Sequence, residues 1–271
     1  PNWMNGDKVR PREYVMTCAA MAAGVMLFYA GLLTHKAISI AGVELMLAGW
    51  SVAVYVLFRI LLTTPAQDKR HARVTSVALL MGWLGVAAYL AWLVTDSPVV
   101  LNFARHAGIW FFLLPIVLTV SHRMIPFFSS RVLDNYEMVR PFWMLWLMLA
   151  GIAAHGSLQW LELPAYLWIV DLPLAACAGY LSYRWGFQRS FQVSLLAVLH
   201  VSFAWLGVAM ALYGLQSLIY FVSGTMLLGL APLHAIGIGF FSGAFSSNSS
   251  TSWSVMAPAS SLGSVIVTAR R

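Results

Sequence analysis

The sequence predicts an all-α protein: a polytopic bundle of transmembrane helices with about eight spans. Of its 271 residues, 61% are hydrophobic and only 9% are charged, against about 25% charged in soluble domains. The mean hydropathy is +0.79, more apolar surface than a single soluble core can bury. Apolar runs recur at about the 20-residue length that crosses a hydrocarbon core as a helix. No run alternates polar and apolar residues over the length of a barrel strand, so helices are the expected solution to backbone hydrogen bonding in lipid.

In chain order the apolar runs place spans near Tyr14–Leu33, Ile38–Thr63, Val74–Val94, Ala107–Phe128, Pro141–Trp160, Pro164–Tyr183, Phe191–Tyr213 and Ser217–Phe241. The second is long enough to tilt or to extend past the lipid. Residues 1–241 form the expected helix bundle. Residues 242–271 make a Ser-rich tail with no continuous apolar stretch, expected to be poorly ordered. The chain opens on Pro-Asn-Trp with neither initiator Met nor signal peptide, as an internal fragment or processed chain would. The Asn248-Ser-Ser tripeptide falls on the expected cytoplasmic side and is discounted as a glycosylation acceptor.

Basic residues orient the bundle. Lys8, Arg10 and Arg12 precede the first span. Lys69, Arg70 and Arg73 lie between the second and third, Arg131 and Arg140 between the fourth and fifth, and Arg184 and Arg189 between the sixth and seventh. The alternate connections hold only Lys36 and Arg105. Basic loops stay in the cytoplasm, so the net charge of +7 is a topological signal and both ends are expected there. Basic residues interleaved with aromatics are lacking, and no nucleic-acid partner is expected. Trp110, Trp143, Trp160 and Trp185 sit near span ends, where an interfacial belt is expected. Cys18 and Cys177 lie in separate runs with no CxxC pairing and read as small buried apolar residues.

Ionisable residues inside spans carry the functional signal. Arg59 lies near the end of its span, where a long side chain snorkels to the headgroups. Glu44 and Asp171 are candidates for a polar path or for helix–helix hydrogen bonds; Pro173 beside Asp171 would kink its helix. Four histidines, His122, His155, His200 and His234, fall on four different spans. At about 1.5 Å rise per residue, His122, His234 and His200 lie roughly 9, 10 and 13 Å from their cytoplasmic helix ends, a shared inner layer. His155 is nearer the outer side, close in depth to His106, and these two make an outer pair of candidate metal ligands. Imidazole suits iron, copper and zinc, and helix bundles use such layers to hold haem. Interhelical hydrogen bonding by the same histidines stays open beside metal binding. Arg123, next to His122, is placed either to pair with an anionic group such as a haem propionate or to anchor the helix at the headgroups.

Three stretches carry a resemblance: "PNW" at Pro1–Trp3, "HRMIPFFSS" at His122–Ser130 and "LHAIGIGFFSG" at Leu233–Gly243. They resemble the NnrS family, haem- and copper-containing proteins of the bacterial inner membrane linked to nitric oxide and denitrification and described as twelve-helix bundles. The most specific match is the "R-x-I-P-F-F-[TS]" element, carried by Arg123, Ile125, Pro126, Phe127, Phe128 and Ser129. The "HA-x-x-x-G" element is carried by His234, Ala235 and Gly239. The resemblance implies haem and copper as cofactors, and nitric oxide or its metal complexes as partners in the response to nitrosative stress. It also implies helices before "PNW" and an "R-V-x-L-G-H-x-G-R" element after "HA-x-x-x-G", which the tail from Ala244 departs from.

Together these readings set the expected site. His234 and His200 are the expected haem ligands, with His122 and Arg123 lining the pocket at a bend set by Pro126 and sealed by Phe127 and Phe128. His155 and His106 are the expected metal pair. No paired carboxylates, no nucleophile with its base and no phosphate loop define a reaction, so enzymatic activity is left undecided. A proton- or solute-coupled transporter using Glu44, Asp171 and the histidines is the alternative, and a purely structural membrane subunit is the third reading.

Overall fold

The computed structural model describes residues 9–65 and 68–243. The "PNW" start and the expected tail, apart from Ser242 and Gly243, lie outside the described residues. Among the described residues every regular element is helical: α1 (Pro11–Leu33), α2 (Lys36–Thr63), α3 (Arg70–Thr95), α4 (Pro98–His106), the π-helix π1 (Ala107–Leu113), α5 (Leu114–Val132), α6 (Phe142–Trp160), a 3₁₀ turn (Pro164–Tyr166), α7 (Trp168–Arg184), α8 (Phe187–Ser190), α9 (Ser194–Ser223), α10 (Ala231–His234) and the π-helix π2 (Ala235–Phe241).

Among the described residues six helices are long and apolar enough to cross a membrane: α1, α2, α3, the continuous stretch Pro98–Val132, α6 and α9. The expected membrane bundle is therefore present, and its count of about eight is approximate. The fourth span starts nine residues before the expected Ala107, because Pro98 occupies a first-turn position where its missing N–H costs nothing. The expected break between a seventh and an eighth span at 214–216 is absent. Gly-Leu-Gln there continues α9 without interruption. The chain stops instead at Gly224, whose φ of +71° is a left-handed conformation open to glycine. Beyond that stop lies the short helix Ala231–Phe241.

The chain divides into two compact units, Pro1–Val120 with Trp143–Val170, and Ser121–Phe142 with Asp171–Arg271. In the first unit α1 and α2 form a hairpin whose backbones nearly touch. A Cβ placed on Gly24 would sit 2.7 Å from the Gly42 carbonyl oxygen, and one on Gly42 would sit 2.5 Å from the Phe28 nitrogen. Small residues at a membrane helix seam permit this approach, and the dispersion gained is what holds helices together where lipid is as apolar as leucine.

At the open end of that hairpin, where the sequence predicts an arginine reaching for the headgroups, Arg59 pairs with Glu13. Its two terminal nitrogens donate to the two carboxylate oxygens at 2.7 and 2.9 Å. Fork-to-fork geometry of this kind fixes both helices in register. Arg59→Glu is expected to lower the yield of folded protein in detergent, and the swapped pair Glu13→Arg with Arg59→Glu to restore it. Size-exclusion profiles of the three proteins check this, and no recovery in the swap would reduce the pair to a bystander.

Outside the spans, Asp68 accepts from the Arg70 side chain at 3.0 and 3.1 Å and from its backbone N–H at 3.0 Å. The Arg70 guanidinium, then that backbone bond, hold the carboxyl down at about 2. A depressed carboxylate stabilises above its unfolded value near 4 and loses that contribution as pH falls through 2. Amide exchange at Arg70 is therefore expected to be insensitive to pH above about 5, after correction for the intrinsic rate, and to lose protection below about 3.

The second unit is built on a chain of aromatic rings. His122 lies 6.0 Å from Trp185, Trp185 lies 4.7 Å from Phe203, and Phe203 lies 6.4 Å from Phe240, measured between ring centroids. Trp185 donates from Nε1 to the Val139 carbonyl at 2.9 Å. Trp185 is fully buried and Trp110 is 2% exposed, so neither belongs to the interfacial belt expected of them. Each has an indole N–H that finds a protein acceptor, which removes the reason to face the headgroups. Trp143 and Trp160 are exposed, as belt residues are.

Candidate functional site

Two seven-residue π-helices interrupt the α-helical ladder, and each begins directly after a histidine: π1 after His106 and π2 after His234. The local sequences correspond, "HAGIWFF" at 106–112 and "HAIGIGFF" at 234–241. π-Helices are rare and concentrate at functional sites. For π1 the sequence supplies a cause. Pro115 has no N–H to give the carbonyl of Phe111 and its ring crowds that oxygen, so the ladder widens just before it.

The two histidines also share a hydrogen bond. Nδ1 of His106 lies 2.7 Å from the Asn102 carbonyl oxygen, and Nδ1 of His234 lies 2.9 Å from that of Leu230. A carbonyl only accepts, so in each ring Nδ1 carries the proton and Nε2 keeps the lone pair. Metal-binding imidazoles are commonly oriented by this kind of bond on the other ring nitrogen.

His234 is exposed on its helix and lines a cavity of about 790 Å³ together with Trp205, Gly239, Ile238 and Ser202. A Cβ on Gly239 would stand 2.5 Å from the Trp205 ring, so glycine is what lets the indole lie against π2. A Cβ on Gly237 would meet nothing within 4 Å, leaving open space one turn from the imidazole.

The other inner residues are placed differently. His200 is 1% exposed, and its Nε2 lies 3.0 Å from the Ser129 hydroxyl. Ser129 is seven residues past His122 on α5, two turns or about 10 Å along the helix. His122 is fully buried, packed against Phe142 at 5.6 Å and Trp185 at 6.0 Å. Arg123 is half-buried beside it. Pro126 lies inside α5, which runs on to Val132, and it has no N–H to offer the His122 carbonyl in the α-helical ladder. Phe127 and Phe128 pack edge to face at 5.4 Å, and Arg131 sits over the Phe127 ring at 5.3 Å.

The outer pair lies in the first unit. His155 is fully buried and packs against Trp110, with ring centroids 3.7 Å apart. Trp110 donates from Nε1 to Gln159 at 3.1 Å. Gly156, between those two contacts on α6, would place a Cβ 2.6 Å from the Trp110 Cβ. His106 is partly buried one turn before Trp110. Gln159 escaped the sequence reading, and Trp110 and Ser129 entered it only as a belt residue and as part of the family element; the recurrence of "HA…FF" is the signal that leads to Trp110.

Among the described residues no three His, Cys, Asp or Glu side chains gather as a metal-binding group. Glu44 is exposed on α2, and Asp171 is fully buried in the first turn of α7. Compared with known proteins, the chain matches the family model described as "NnrS protein" over residues 1–247. No curated protein and no solved structure matches it.

Proposed function

Because the chain belongs to the NnrS family and is a membrane helix bundle, we propose that it is a haem-binding protein of the bacterial inner membrane acting in the response to nitric oxide and nitrosative stress, in association with denitrification. The observation that carries this reading is His234. Its Nδ1 is tied to Leu230, its Nε2 is the remaining basic nitrogen, and it borders a largely apolar cavity lined also by Trp205, Gly239 and Gly243.

These residues fit haem. An imidazole of fixed tautomer, a glycine-lined backbone and the flat face of Trp205 are what an axial ligand and a planar macrocycle need. When bound, haem would supply an iron centre able to hold nitric oxide. His234 would donate Nε2, Leu230 would fix the ring, and Trp205 would exclude water from one side. His200, engaged by Ser129, is assigned a positioning role at the α5–α9 contact in place of the haem-ligand role expected from sequence. His122 and Arg123, expected from sequence to line the pocket, are not among the residues lining the His234 cavity, and Arg123 is kept in the proposal only as the partner of a propionate.

For copper the fit is incomplete. His155 and His106 offer two imidazoles near Trp110, and no third ligand of the usual kinds joins them among the described residues, where closed metal sites take about four. Copper at this pair is retained as part of the proposal, with no step assigned to it.

The functional test is growth after a nitric oxide pulse. Cells relying on this protein are expected to resume growth sooner than cells carrying His234→Ala at equal membrane abundance. Equal recovery would remove haem at His234 from the stress response.

A further inference from the structure

We propose that the second unit carries a binding site for an acidic phospholipid, in the cavity where the α7–α8 turn meets the loop after α5. It goes beyond the haem reading and shares no histidine with it.

The cavity has a volume of about 890 Å³. One part of its lining is polar and cationic, with Arg184 and Arg189, and the buried hydroxyls of Tyr136 and Ser182 lie in its wall. Glu137 is the one acidic side chain in the lining, so the two arginines leave a net positive rim. Away from the rim the lining becomes small and apolar: Ala175 and Gly179 from α7, and Ala204, Gly207 and Ala211 from α9. Nine residues separate Ala175 from Arg184, so the trough runs about 14 Å along α7. A Cβ on Gly179 would meet nothing within 4 Å, whereas a Cβ on Gly207 would touch that of Ala178 at 3.3 Å. The two helices are thus in contact along one line and leave a slot beside it.

Charged mouth and apolar trough match an amphiphile with an anionic head and a slender tail. Basic pockets between membrane helices bind acidic headgroups in this way, and arginine is the side chain suited to phosphate. Ser182 supplies an independent indication. It is 8% exposed, lines the cavity, and its Oγ has no hydrogen-bond partner among the described residues. A helical serine ordinarily returns its hydroxyl to the carbonyl four residues back, as Ser202 and Ser223 do here. Leaving it unbonded costs stability unless a ligand oxygen receives it. Tyr136 adds a buried donor in the wall beside it: burial raises its phenol above the ordinary value, which keeps it protonated. Arg189 is already fixed by donating to the Asp134 carbonyl, so part of the rim is pre-organised.

The test uses the full chain in nanodiscs of phosphatidylglycerol and phosphatidylcholine, with native mass spectrometry of the lipids that stay bound. Wild type is expected to retain phosphatidylglycerol at least tenfold over phosphatidylcholine. Arg184→Gln is expected to reduce that preference several-fold, Gly179→Leu to reduce retention of the lipid with both arginines intact, and Ser182→Ala to weaken retention without lowering thermal stability. Equal retention of the two lipids by wild type would overturn the proposal, as would undiminished preference in Arg184→Gln and Gly179→Leu. Displacement of the lipid by free inorganic phosphate alone, with no dependence on Gly179, would also overturn it, because the trough would then have no tail to hold.

Discussion

Protein carrying His234→Ala is expected to leave the membrane colourless, while His200→Ala keeps its Soret band and loses stability instead. The two histidines are separated by what their Nε2 atoms do. That of His234 is the basic nitrogen of a ring fixed through Nδ1, whereas that of His200 already meets Ser129. Losing an axial ligand is expected to cost more than the ~10–100-fold in metal affinity that loss of an outer hydrogen-bond partner costs. Arg123→Leu is expected to fall between them, with a normal ligand spectrum and faster haem loss. Absorption spectra and haem-to-protein ratios of the three variants, purified from haem-replete cells, check all of this. A normal Soret band in His234→Ala beside its loss in His200→Ala would exchange the two roles.

The second large effect is expected at Trp110. Its indole fills the space against His155, donates to Gln159 and is nearly fully buried. Trp110→Ala is expected to destabilise the protein by about 3–5 kcal/mol, the range for emptying a buried aromatic site. Trp110→Phe keeps most of the volume but strands the Gln159 amide, and is expected to cost about 0.5–1.5 kcal/mol. Thermal unfolding in detergent orders the three proteins. An alanine variant as stable as wild type would mean that α6 holds its place without this contact.

How much was legible depended on which physical signals leave a trace in one dimension. Lipid demands long apolar runs, so α1, α2, α3 and α6 were bounded in sequence to within a few residues of their observed ends. The break after α9 was misplaced because apolar runs say where a helix can cross, not where it must stop. The stop is the left-handed Gly224, indistinguishable in composition from Gly214 within the helix. Histidine depth was estimated from helical rise alone, which ignores the direction a side chain takes around the helix. The His200 contact with Ser129 is therefore a three-dimensional fact that depth alone does not give. Trp110 and Trp185 were misassigned because a tryptophan near a span end looks interfacial until its acceptor, Gln159 or the Val139 carbonyl, is seen. The family element around His234 pointed to the residue, but the bond to Leu230 and the π-helix behind it are three-dimensional facts.

Haem binding through an imidazole whose Nδ1 is already committed is what we propose for His234. A haemin titration of the purified full chain, combined with pulsed electron-nuclear resonance on protein labelled with ¹⁵N-histidine, tests it most directly. Saturable Soret growth is expected, with hyperfine coupling of the iron-centred spin to an imidazole ¹⁵N that disappears in His234→Ala. Absence of any saturable Soret change in the wild-type chain would contradict it.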